Sequence, residues 1–374
     1  MTSLSSIPLA GDAGRRPRTD SVDSIRNAGG DRTGNPPESV HFNIHDVLRI
    51  RTNVRIAPRI PEWFRVDSVE PNLELTGVRS LEAPATERLR GAVGYPKTCD
   101  LGDGGVYYEI HLPFLHYLGV SERWKLRVDG LADDRTRITS TLPFFSFGPM
   151  RARLTDLLSR IAYTIMGIRL VRAGYALCHA SAISNGDAAY LFFAYGGTGK
   201  TTVTHALMAR QCDGYLSDDY ALVDARGTAY CWPEHTPPHS SEKGTPGLRY
   251  MFGRYRETSA APYPVRRQAR VAALFFLEHG RDEVFEIAAD EAARRAILLN
   301  MEEIWRLWNS PAAQIVGQYA YFYPEIDLTG LVAAYRTCIM SFVRNASRCY
   351  VVRSSTPGFS AARDTIDRLQ HASR

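Results

Sequence analysis

Eight consecutive residues carry the strongest chemical signal in the chain: Ala194, Tyr195, Gly196, Gly197, Thr198, Gly199, Lys200 and Thr201. Seven of these positions comply with G-x-x-x-x-G-K-[ST], the pattern of a loop that wraps nucleotide phosphates. Glycines let backbone N–H groups close around an anion, and the N-terminus of the helix that follows adds partial positive charge. Lys200 has the length and charge to meet the β- and γ-phosphates, the Thr201 hydroxyl suits Mg²⁺, and Thr202 extends the cradle into the helix. Ala194 stands in place of the first glycine, where a side chain is expected to strain the backbone.

Such a loop needs a strand to deliver it and a helix to leave by. "AAYLFFAY" before it reads as a buried strand, and "TTVTHALMAR" after it reads as helix. Upstream, "YALCHASAI" and the turn Asn185-Gly186-Asp187 predict a partner strand joined by a hairpin. His179 lies on that partner strand, which brings it towards the loop. Asp218 and Asp219, in "GYLSDDYALV", follow a short strand-and-turn after Lys200. In the commonest nucleotide hydrolases the metal-side acid comes much later, at the end of another core strand. Alone, a strand histidine is an ordinary core residue and an Asp-Asp pair an ordinary turn. Their order around the loop makes them candidates.

The series "CHASAI…YLFFAYGGTGKTTVTHAL…GYLSDDYALVD" resembles the catalytic core of the HPr serine kinase/phosphorylase family, which belongs with the ATP-type phosphoenolpyruvate (PEP) carboxykinases in one nucleotide-binding superfamily. The similarity covers about residues 175 to 225 and extends at most to 280. It implies an α/β (α+β) fold with a PEP carboxykinase-like phosphate-loop kinase core, using ATP and Mg²⁺. It also implies roles. Lys200 and Thr201 would hold the phosphates and metal, Asp218 would be the general base, Asp219 would help position the metal or substrate, and His179 would tune the acidic pair. The family's further signature, an acid followed by Arg-Gly, has its nearest counterpart in Glu242-Lys243-Gly244, which makes Glu242 a metal-side candidate with lysine in place of arginine. The flanking regions show no match to the bacterial sugar-regulation kinase. The implied acceptor is therefore a hydroxyl, serine-type, on a peptide, protein or small molecule. Two other readings stay open: a nucleotide-binding regulator without transfer activity, and a biosynthetic accessory protein whose N-terminal domain recognises a carrier or peptide.

The rest of the chain sets bounds. With 374 residues, 44% hydrophobic and 23% charged, it has the composition of a globular protein with a large core. A net charge of +5, with both signs interspersed, is too mild for a nucleic-acid footprint. No apolar run approaches the roughly 18 residues of a membrane span, and no signal-peptide pattern is seen. The six cysteines contain no CxxC pair, which fits a reducing cytoplasm better than zinc or a disulfide scaffold. A homo-oligomer is compatible with the family, although no assembly signal is readable.

Residues 1–38, rich in Ser, Gly, Pro, Arg and Asp, predict a disordered tail; Asp12, Asp20, Asp23 and Asp31 weigh against an organelle transit peptide. Short alternating and aromatic runs predict a β-rich domain over 39–150, followed by a catalytic domain over 151–374 with a C-terminal helical extension. A bridging helix is expected over 154–174, ending at Gly174, with further helices over 290–308 and 326–343, then a last strand and a last helix. Arginines 249, 254, 256, 266, 267 and 270 suggest a basic loop that can bind phosphate or simply be solvated. His235 and His239 are kept from metal-ligand alignment by the surrounding prolines. The aromatic run 319–325 reads as core or interface.

Overall fold

The computed structural model describes residues 38–54, 60–85, 88–89, 96–115, 120–141, 148–209, 212–235, 259–260, 263–308, 311–356 and 359–372. The expected tail up to residue 37, Glu242 with its Lys-Gly, Arg249, Arg254, Arg256 and His239 lie outside the described residues.

The N-terminal strands are β1 (Val40–Ile44), β2 (Leu48–Thr52), β3 (Arg65–Val66), β4 (Leu73–Val78), β5 (Lys97–Asp100), β6 (Gly105–Leu115), β7 (Val120–Asp129) and β8 (Thr136–Thr141). They form one sheet in the order β3-β1-β2-β4-β8-β7-β6-β5. The pairs β2–β4 and β4–β8 are parallel, which the short alternating runs gave no reason to expect. The long helix α1 (Gly148–Arg172) then leads to the second sheet, and Gly174 follows it at φ 84° as the left-handed stop that its lack of a side chain allows.

The second sheet contains β9 (Tyr175–Asn185), β10 (Ala188–Phe193), β11 (Gly214–Ser217), β12 (Tyr220–Asp224) and β13 (Thr228–Tyr230), and, past the small pair β14 (Glu234–His235) and β15 (Ser259–Ala260), also β16 (Gln268–His279), β17 (Glu283–Glu286) and β18 (Arg348–Ser354). β10 lies between β9, antiparallel, and β16, parallel. β13 folds back onto the start of β16, so β10, β9, β12, β13 and β16 close a ring of paired strands. One face is covered by α2 (Lys200–Met208) and α6 (Ser360–Ala372) through Val203, Leu207, Phe192, Phe275 and Ile366. The other face packs on α1, α3 (Ala289–Trp308), α4 (Pro311–Phe322) and α5 (Leu328–Arg344), in a core shared with the first sheet. Described residues from Glu38 onward belong to one compact unit. The chain is thus α+β, with two large sheets and mixed helices.

Three features depart from the sequence reading. Residues 311–322 form a helix where only an aromatic cluster was expected. Its Tyr319 accepts from the Leu131 N–H and donates to the Gly104 carbonyl, and Tyr323 donates to Asp100 at 2.6 Å, so contacts with the first sheet fix it. β16 and β17 were not anticipated. And Pro324–Arg344 is, by length and composition, apolar enough to cross a membrane, because its leucines, isoleucines and valines carry its average past the charged positions. In this fold α5 buries Cys338, Ile339, Phe342 and Val343 against the sheet side.

His45, at the tip of the β1–β2 hairpin, ties the two sheets together. Its Nε2–H donates to the Cys231 carbonyl at 2.8 Å, while Nδ1 is buried with no hydrogen-bond partner. Burial lowers the His45 pKa below 6.5, opposed by the bond to Cys231 and aided by nearby Arg267. The unfolded chain therefore takes up this proton first as pH falls. The contribution is fully present above pH 6.5 and is lost as pH drops towards the folded value. Melting temperature is expected to fall as pH goes from about 7 to about 5, and His45→Gln to flatten that dependence. Identical pH profiles for the two proteins would contradict this account.

Candidate functional site

The site is built around β9. On one side the β9–β10 ladder runs from Asn185↔Ala188 to Ala180↔Phe193, with Gly186 at φ 53° in the predicted hairpin turn. On the other side β11 pairs Ser217 with Ala182, and β12 resumes with Tyr220 opposite His179. Asp218 and Asp219 occupy the joint between those two strands. The phosphate-type loop leaves the end of β10 at the same level of β9. With strands about 4.8 Å apart, loop and aspartate pair stand on opposite sides of one strand, roughly 10 Å from each other.

Each part has a local cause. Gly197 and Gly199 have φ 80° and 123°, conformations that residues with side chains rarely adopt. A Cβ at Gly196 or Gly197 would meet nothing within 4 Å, so the loop opens onto space a ligand can fill. Ala194 does not strain the loop as expected from the pattern. It is outside the left-handed region, and its methyl is buried in the core under α2. The turn is made by the later glycines. Lys200 is 5% exposed, and its Nζ donates to the Ala194 carbonyl at 2.9 Å. A buried ammonium needs such partners, and this one is held at the mouth of the loop. Thr198 is buried, Thr201 is half-buried, and Thr202 is exposed at the start of α2.

Asp218 is 1% exposed, whereas the Asp219 side chain is 46% exposed. The joint is fixed from both sides: Ser217 Oγ donates to the Ala180 carbonyl at 3.2 Å, and the Trp232 N–H to Leu216 at 2.8 Å. His179 Nε2 lies 4.0 Å from Asp219 Oδ1, a contact of charge and dipole too long for a hydrogen bond. The His179 ring also tilts against Tyr220, its cross-strand neighbour, at 5.9 Å between centroids. Beyond the last β10 pair, the His179 N–H is taken by Asn300 Oδ1 of α3 at 2.7 Å. Structure thus brings His179 and Asp219 together, with Asp218 beside them and the loop across β9.

Two neighbours, Glu278 and Asn300, are marked by no motif in the sequence. β16 runs parallel to β10 with Phe276 opposite Phe193, so Glu278 stands beside the loop at the level of Tyr195. An apolar run ending in an acid was the available signal. Both Glu278 oxygens are committed: Oε1 accepts from Arg295 of α3, and Oε2 from Arg353 Nε at 3.0 Å. Glu278 therefore anchors α3 and β18 and is not set up as a cation ligand. Asn300 and Arg295 together pin α3 on both sides of β10. Of the arginines expected in a basic loop, Arg266 pairs with Asp187 and Arg267 with Asp46 at 2.5 and 2.8 Å. Burial pushes the Cys178, Cys231 and Cys338 thiols up, which leaves them unreactive. Among the described residues no three His, Cys, Asp or Glu side chains are grouped as a metal centre.

No family model matches the chain, and no curated protein matches it. Among solved structures, the Hpr(Ser) kinase/phosphatase from Coxiella burnetii is similar at 15% identity over 30% of this chain and 70% of that one, with a TM-score of 0.18. At that score the likeness carries no argument about activity.

Proposed function

We propose that the chain is an ATP-dependent phosphotransferase with a PEP carboxykinase-like phosphate-loop core, acting on a serine-type hydroxyl of a peptide, protein or small molecule. One observation carries this reading: β9 is flanked at a single level by the glycine loop with Lys200 and by the Asp218-Asp219 joint with His179. The backbone of Gly196–Gly199 and the ammonium of Lys200 hold the phosphates. The open space over Gly196 and Gly197 fits that use. Thr201 and the exposed Asp219 suit Mg²⁺, which binds one or two protein oxygens and otherwise phosphate and water. Bound there, the ion supplies charge neutralisation at the transferred group.

The acceptor oxygen forms a bond to the γ-phosphorus while the bond from that phosphorus to the β–γ bridging oxygen breaks, its electron pair leaving with ADP. The acceptor proton goes to Asp218. A carboxylate suffices as base because the transition state is loose and the hydroxyl becomes acidic late. His179, 4.0 Å from Asp219, tunes the acidic pair, and Asn300 holds the β9 backbone that carries His179.

A regulator that binds nucleotide without transfer is the second reading. It is favoured by the commitment of Glu278 to two arginines, which removes one acid from the loop's edge. To separate the two, the full chain is incubated with MgATP labelled at the γ-phosphate and with fractionated cell extract. The enzyme reading expects label in an acid-stable phosphomonoester, with none transferred from α-labelled ATP. Tight nucleotide binding with no labelled product in any fraction would move the assignment to the regulator.

A further inference from the structure

Trp63, Tyr195, Leu298 and Tyr321 are the large apolar side chains most exposed among the described residues. Single exposed apolar residues are ordinary on a protein surface. Two of these four, however, belong to the elements that meet at the end of β10: Tyr195 in the loop, and Leu298 on α3 between the residues that pin that helix to β16 and β9. Tyr195 is 58% exposed on a loop otherwise made of glycine, alanine and threonine, next to the open space over Gly196 and Gly197.

Its place along a bound nucleotide follows from Lys200. That ammonium, the group that meets the β- and γ-phosphates, donates to the carbonyl of Ala194, the residue directly before Tyr195. On the phosphotransferase reading the backbone that carries Tyr195 therefore lies at the γ-phosphoryl end, where an acceptor approaches, and not at the distant base. An aromatic ring offers a rigid apolar face at little entropic cost.

We propose that Tyr195 is a specificity-determining residue that receives an apolar group next to the acceptor hydroxyl. This rests on the phosphotransferase reading and narrows its substrate class. The acceptor is a hydroxyl flanked by an aromatic or branched aliphatic group, as in a serine with an apolar neighbour, and not free serine.

The test uses the full chain, Tyr195→Ala and Tyr195→Phe, with MgATP and two synthetic probes, N-acetyl-phenylalanyl-serine amide and N-acetyl-glycyl-serine amide. Wild type is expected to favour the phenylalanyl probe by about tenfold in kcat/KM, through burial of its ring. Tyr195→Ala should abolish that preference and Tyr195→Phe should keep it, while the Kd for MgATP stays within about twofold in both. Equal measurable kcat/KM for the two probes in wild type overturns the role of Tyr195, and MgATP binding with transfer to neither probe removes that role together with the apolar-flanked serine acceptor. So does a loss of about tenfold in MgATP affinity on Tyr195→Ala, which would put the ring on the base. Failure of wild type to bind MgATP at all would instead remove the nucleotide site and with it the phosphotransferase reading.

Discussion

Asp218→Asn is expected to abolish most phosphoryl transfer while leaving MgATP affinity close to that of wild type. The substitution keeps the shape of a side chain that is 1% exposed at the β11–β12 joint, and removes only its ability to take a proton. A general base acts in the transition state and contributes little to holding the nucleotide. Its loss typically costs about 10² to 10⁴-fold in rate, which a single-turnover measurement resolves plainly. If Asp218 only shapes the turn, the outcome reverses. Stability then changes, and the rate per folded molecule does not. Full transfer by a folded Asp218→Asn protein would remove the proton-acceptor assignment and leave Asp219, at the exposed end of the pair, as the remaining carboxylate beside His179.

What the sequence disclosed was what is local. The Asn185-Gly186-Asp187 turn set a two-strand hairpin, and the glycines at 197 and 199 sit where the loop takes left-handed turns. Chain order put Asp218 and Asp219 a short strand-and-turn after the loop, but their place across β9 from it depends on β11 and β12 both pairing with β9. Features that depend on distant partners were hidden. β16 is apolar throughout Val271–Leu277 because its two faces are buried in different cores, and such a run reads equally as a buried helix. α4 carries tyrosines with weak helical preference and is held by hydroxyl bonds to residues more than a hundred positions away. Asn300 lies 121 residues from the histidine backbone it caps, and nothing near it in sequence marks that role. The expected strain at Ala194 was an error of a different kind. The pattern names a glycine there, but the physical need for glycine arises only where φ is positive, and in this loop that is further along.

Lys200→Ala carries the other large expected effect, and it bears on binding. The lysine is the one side-chain cation in the segment 194–202, and it is already held at the mouth of the loop by the Ala194 carbonyl at 2.9 Å. A phosphate in the loop gains a charge-assisted contact with it, a class of hydrogen bond worth about 1.5 to 3 kcal/mol. Removing it leaves the backbone cradle and the helix N-terminus, so binding should weaken by about one to two orders of magnitude without vanishing. The buried site is small, and α2 keeps Val203 and Leu207 in the core, so the fold should survive. The measurement is a calorimetric titration of MgATP into wild type and Lys200→Ala, with thermal unfolding run alongside. The account predicts binding to wild type and a Kd at least about tenfold higher for the variant at similar melting temperature. Equal affinity of the two folded proteins for MgATP would contradict it, because the loop over 194–201 would then not be where the phosphates are held.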